Sequence, residues 1–138
     1  MSNVSIANVD LGSVFLESAE TAFQPDELTV PATTVYQEGL ILARDSSTGK
    51  LVVFVDGGST NGNGIPKTVL SYDVENTTGG ALDVPVRVAV TAKVRKQRLR
   101  IGAAATDDTG VTKAIGDLLR DFGIHPVNVN DLSVLDNQ

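Results

Sequence analysis

Residues 84–94 read VPVRVAVTAKV, and the reading of this alternation decides the fold class. Val84, Val86, Val88, Val90, Ala92 and Val94 fall on one side of a period-two repeat. Arg87, Thr91 and Lys93 fall on the other, with Ala89 among them. Alternation sustained this long predicts a strand with one buried and one wet face. Past Val94 the phase slips, because Leu99 and Ile101 stand on odd positions, and a bulge or corner is expected there.

The segments before this strand carry the same signature. GLILAR (39–44) and KLVVFV (50–55) are short apolar runs joined by DSSTG (45–49), in which Gly49 is free to take positive φ, so they predict a β-hairpin. A glycine-rich loop, DGGSTNGNG (56–64), leads to TVLSYDV (68–74), read as one strand, and then to the polar turn ENTTGGALD (75–83). Beyond the alternating strand, TDDTGVTKAIGDLLRDFGIHP (106–126) predicts a helix. Thr106 to Asp108 offer N-cap side chains, and Val111, Ile115, Leu118, Leu119 and Phe122 make an apolar stripe. Gly123 suits the position after the helix, with Ile124 as its apolar cap contact and Pro126 as a stop.

The first third is the least regular. Leu11, Val14, Phe15, Ala19, Ala22 and Phe23 suit one face of a short helix ending before Pro25. ELTVPATTV (27–35) is β-branched and extended, with Pro31 arguing against a central strand. The expected organisation is therefore an N-terminal arm over residues 1–35 and a β-rich domain over residues 36–138. The expected fold class is mainly β (α+β), a small barrel-like domain with one helix in its C-terminal half.

Composition agrees with strands. The chain has 138 residues, 41% of them apolar but only 4% aromatic, so its core is built from Val, Leu, Ile and Ala. Cysteine is absent and histidine occurs once, which excludes disulfides and ordinary structural zinc. No basic segment precedes an apolar run at the N-terminus and no apolar run reaches membrane-spanning length, so a soluble chain without a classical export signal is expected. The net charge of −6 is unevenly spread: Asp10, Glu17, Glu20, Asp26, Glu27 and Glu38 precede the first basic residue, Arg44. Five of the eleven basic residues crowd into KVRKQRLR (93–100).

Candidate chemistry fails on spacing. In the glycine-rich loop, Pro66 and Asn61 stand where a phosphate-binding loop requires glycine, and proline removes an N–H the phosphate needs. Lys67 likewise occupies the place of the third glycine of a dinucleotide fingerprint. Asp56, Asn61 and Asn63 match no calcium-loop spacing and suit turn geometry. His125 lies between Ile124 and Pro126 with no serine in a nucleophile elbow, Asp107 and Asp108 suit a helix start, and Asp26-Glu27 is a bare carboxylate pair. The basic stripe, Lys93, Arg95, Lys96, Arg98 and Arg100, has no interleaved aromatics in an acidic chain, so a subunit or shell contact is expected in preference to nucleic acid. No enzyme chemistry and no cofactor are expected.

The order of features from Gly39 to Ile101 resembles the head decoration proteins of tailed bacteriophages, the lambda protein D family. The resemblance rests on the hairpin turn at Ser46–Val53, the Asp-Gly loop at Asp56–Gly64, the strand at Thr68–Val74, the polar turn at Asn76–Asp83 and the alternating valines of Val84–Val94. It implies a compact β-rich domain that forms a homotrimer at three-fold and quasi-three-fold positions of an expanded head, bound to the major capsid protein. It also implies an N-terminal arm that adds an extended segment to a shell strand. Here the matching segment is Leu28, Thr29, Val30, Pro31, Ala32, Thr33, Thr34 and Val35, preceded by Glu27. Such a protein would sit on the outer surface of the virion after synthesis in the host cytoplasm, with neither nucleic acid nor membrane as partner. The alternative is a β-barrel ligand-binding or adhesion module of a phage tail or cell surface.

Overall fold

The computed structural model describes residues 14–16, 21–102 and 111–127. Eight strands form there: β1 (Ala22–Val30), β2 (Thr34–Tyr36), β3 (Ile41–Arg44), β4 (Leu51–Val53), β5 (Pro66–Val69), β6 (Val74–Asn76), β7 (Leu82–Arg95) and β8 (Ile124–Val127). One α-helix, α1 (Lys113–Asp121), precedes β8. Six strands make a sheet in the order β5-β3-β4-β1-β7-β8, while β2 and β6 pair separately. The sheet curls into a nearly closed barrel, and the mainly β expectation holds. An antiparallel bridge from Leu70, just past β5, to Val88 in β7 draws the two sides together.

The hairpin forms as its turn chemistry dictates. β3 and β4 pair antiparallel from Leu42↔Val53 to Arg44↔Leu51, and Gly49 takes φ +75° in the turn. The strand expected over Thr68–Val74 divides instead. Its first part is β5, its last residue opens β6, and Leu70 marks the break. Both halves bury apolar residues, but against different neighbours, so one apolar run serves two sheets.

The alternating strand is present as β7, with one correction. Ala89 faces Phe23 of β1 and Thr91 faces Ala22, so Val90 is the extra residue of a β-bulge. A bulge reverses the parity of everything beyond it. Val86 and Val88 therefore pack in one apolar cluster with Leu28, Leu42 and Leu70. Ala89, Ala92 and Val94 pack in another with Ile41, Phe54, Ile115 and Leu119. Val90 itself is 41% exposed. The predicted corner after Val94 also forms, as a 3-10 turn at Lys96–Arg98.

The first third departs furthest from expectation. Ala22 and Phe23, expected on a helix, begin β1, which runs straight through Pro25. Proline is tolerated because β1 pairs with β7 along its length but with β4 only at Leu28↔Leu51, leaving the other edge at Pro25 without a ladder. Val14 is fully buried and Phe15 bridges Val94 antiparallel, so these residues also lie extended along β7. Leu11 and Ala19 of that expected helix lie outside the described residues.

In the C-terminal half, Thr112 caps α1 by accepting the Ile115 N–H at 3.3 Å. The caps expected at Thr106–Asp108 lie outside the described residues. Gly123 takes φ +89°, and a Cβ there would stand 2.4 Å from the Val90 carbonyl oxygen, so glycine is required twice over. The helix stripe is half as predicted. Val111, Ile115 and Leu119 are buried, whereas Leu118 and Phe122 remain 38% exposed.

Candidate functional site

The glycine-rich loop closes on itself. Val55 N–H donates to Asn63 O, Gly58 N–H to Val55 O, Asn63 N–H to Thr60 O and Ile65 N–H to Gly62 O, all within 3.1 Å. The Asn63 side-chain oxygen accepts the Thr60 N–H at 3.1 Å. A Cβ on Gly64 would lie 2.1 Å from the Gly58 carbonyl oxygen. These glycines permit backbone-to-backbone packing, and the Gly58, Thr60 and Asn63 N–H groups are bonded inside the loop. Asn63 is likewise engaged internally and does not stand free as a cation ligand.

The expected capsid-binding segment is split between core and surface. Leu28 and Val30 are fully buried in β1, the inner strand between β4 and β7. Thr29 donates its hydroxyl to Asp83 Oδ1 at 2.8 Å, and Asp83 also pairs with Lys50. Those three residues belong to the folded sheet and do not extend from it. Freeing them would break the β1–β7 ladder and expose two core side chains. Pro31 ends β1, Ala32 and Thr33 turn the chain with Thr33 at φ +49°, and Thr34 donates its hydroxyl to Ala32 O at 3.0 Å. Val35 faces out of β2, 52% exposed, opposite Glu75 of β6.

Sequence reasoning missed the residue that holds this turn. Asn76 is 2% exposed, and its amide nitrogen reaches the carbonyls of Val30, Pro31 and Gly80 at 2.9–3.0 Å. Its Oδ1 accepts from the Thr78 N–H and hydroxyl. A buried amide so fully satisfied fixes where the chain leaves β1 for β2. Asn in a polar stretch reads as an ordinary turn residue, and only the distant partner Val30 reveals its role.

The basic stripe is not one surface. Lys93 is exposed on β7, whereas Arg95 is 5% exposed and its backbone N–H donates to Val14 O at 2.7 Å. The 3-10 turn then sends the rest in two directions. Lys96 lines a shallow pocket with Lys113, Gly116 and Arg120 of α1. Arg98 and Arg100 turn towards Glu38, whose main-chain oxygen accepts from Arg100 Nε at 3.2 Å. Burial pushes the Glu38 carboxyl up, and nearby Asp73 adds to this against the pull of the Val14 N–H and the two arginines.

The ionic contact nearest the core joins Asp26 of β1 to Arg44 of β3 through two hydrogen bonds, at 2.7 and 3.1 Å. Burial alone would raise the Asp26 pKa. The Arg44 hydrogen bond, the Glu27 N–H and the Arg44 charge outweigh it and hold the carboxyl below its ordinary value.

Among the described residues no group of three His, Cys, Asp or Glu side chains is placed to hold a metal, and no helix is long and apolar enough to cross a membrane. The surface is one of β-strand rims and packed turns. Residues 4–124 match the family model of Bacteriophage lambda head decoration protein D. No curated protein matches the chain.

Proposed function

The chain belongs to the bacteriophage lambda head decoration protein D family, and from that membership we propose that it forms homotrimers on the outer surface of an expanded phage head and stabilises the shell. The trimers occupy three-fold and quasi-three-fold positions and grip the major capsid protein. After synthesis in the host cytoplasm the protein acts without enzyme chemistry, cofactor, nucleic acid or membrane. The family match over most of the chain carries this reading. Multivalency supplies the strength, because three weak shell contacts on one rigid trimer bind far more tightly than one.

The shell contact needs relocation within the expected arm. Leu28 to Val30 are committed to the sheet, so the available rim is the turn and outer strand from Pro31 to Val35. The β2–β6 pair has only two strands, and the open edge of β2 supplies a template for strand addition. Residues 1–13, which lie outside the described residues, keep the arm role in this reading. The test is co-sedimentation with emptied, expanded heads, using the full chain, a variant lacking residues 1–13 and Val35→Asp. The full chain is expected to bind and to raise the temperature at which heads rupture, and both variants to bind more weakly with unchanged melting. Absence of binding by the full chain overturns the decoration reading. Unchanged binding by both variants overturns the assignment of the contact.

A further inference from the structure

We propose that a strip made by Val55, Ile65, Lys67, Val90, Leu118 and Phe122 is where copies of this chain meet around a three-fold axis, with Asp56 of one copy against Lys67 of the next. The inference rests on the trimeric reading above and names the surface that reading leaves open. Of the nine large apolar side chains exposed among the described residues, five lie in this strip. Scattered exposed apolar residues need no explanation, whereas a contiguous run of them marks a contact surface.

The continuity of the strip follows from the fold. Ile65 directly precedes edge strand β5, and Lys67 is the extra residue of a β-bulge within it, where β5 slips register against β3. Lys67 Nζ lies 3.7 Å from the centre of the Phe122 ring. Phe122 and Val90 line the same open cleft, so the bulge that turns Val90 outward places it beside the helix end. Leu118 precedes Phe122 by one helical turn and shares its face. At the other end, the loop closure from Val55 N–H to Asn63 O holds Val55 near Ile65.

The two ends carry opposite charge. Asp56 follows Val55, and neither Asp56 nor Lys67 has an ion-pair partner among the described residues. A three-fold ring requires a heterologous contact, in which two different half-surfaces of one chain meet the complementary halves of its neighbours. A single strip beside the axis meets this condition: its Asp56 end faces one neighbour and its Lys67–Phe122 end faces the other. An apolar centre with an aromatic anchor and charges at its margin is also the usual make-up of a subunit interface.

The test is the mass of the full-length chain by sedimentation, with circular dichroism to check folding. Wild type, Lys67→Asp, Asp56→Lys, the double charge exchange and Leu118→Ser are compared at one concentration. Each single variant is expected to be folded with mass lowered about threefold, and the double exchange to regain the trimer. A monomeric wild type defeats the trimeric reading itself. A trimeric wild type whose three single variants all stay trimeric overturns the strip. Should Lys67→Asp fail to fold, the solvent-facing Leu118→Ser and Asp56→Lys still decide the matter. A double exchange that stays monomeric while both single charge variants are monomeric overturns the Asp56–Lys67 pairing.

Discussion

β1 and β2 follow one another in the chain, each carries an adjacent Thr-Val pair (Thr29-Val30 and Thr34-Val35) and each is bordered by Pro31 or its turn, yet the fold treats them oppositely. β1 is laddered to β7 over nine residues and touches β4, with Leu28 and Val30 fully buried. β2 has three residues, one partner strand and an exposed Val35. Similar local composition thus produces an inner strand and a rim. The difference lies in what stands opposite each: β7 presents the alternating valines to β1, whereas β2 meets only the short β6.

Removing the two regions together should break the contrast most violently. Deletion of residues 1–35 strips β1 from the sheet and leaves its buried partners Val86 and Val88 without cover. The shortened chain is expected to lose its cooperative thermal transition by circular dichroism. A chain lacking only residues 1–13 keeps Val14, β1 and β2 and should melt as a folded domain. A sharp transition in the longer deletion would show that β1 is dispensable after all.

Point substitutions should sharpen it. Leu28→Ala empties a fully buried site, and a loss of about 2–5 kcal/mol is expected in urea unfolding. Val35→Ala on the rim should change stability by no more than about 0.5 kcal/mol. Equal effects at the two positions would contradict the division between inner strand and rim.

The smallest effect concerns the ion pair that ties β1 to β3. The Asp26 carboxyl has a folded pKa below its unfolded value of about 3.9, so its stabilisation is present above that pH and is lost as pH falls through the folded value. Asp26→Asn should therefore lower stability at pH 7 and have less effect near pH 2. Unfolding curves at both pH values check the sign, and an equal loss at both would assign the effect to packing and not to charge.

Much of this was legible without coordinates. Period-two runs with a Gly49 turn specify the hairpin through local chemistry, and Gly123 marks the helix exit because left-handed backbone there favours glycine. Missing glycines at Asn61 and Pro66 were enough to exclude a phosphate loop. The division of ELTVPATTV was only partly readable, since the sequence shows extended backbone but not which half is covered. Asn76 and the dispersal of the basic stripe were not readable at all, because each depends on groups far away in sequence or on the 3-10 turn.

The sequence by itself determined the strand-rich class, the turns and the family pattern, since these follow from side-chain period, glycine, proline and Asn placed within a few residues of one another. Tertiary structure alone decided which strand is inner and which is rim, where Val90 turns outward, and which exposed side chains fall into one strip. Those outcomes depend on register between distant strands, and one bulged residue in β7 is enough to exchange the faces of everything beyond it.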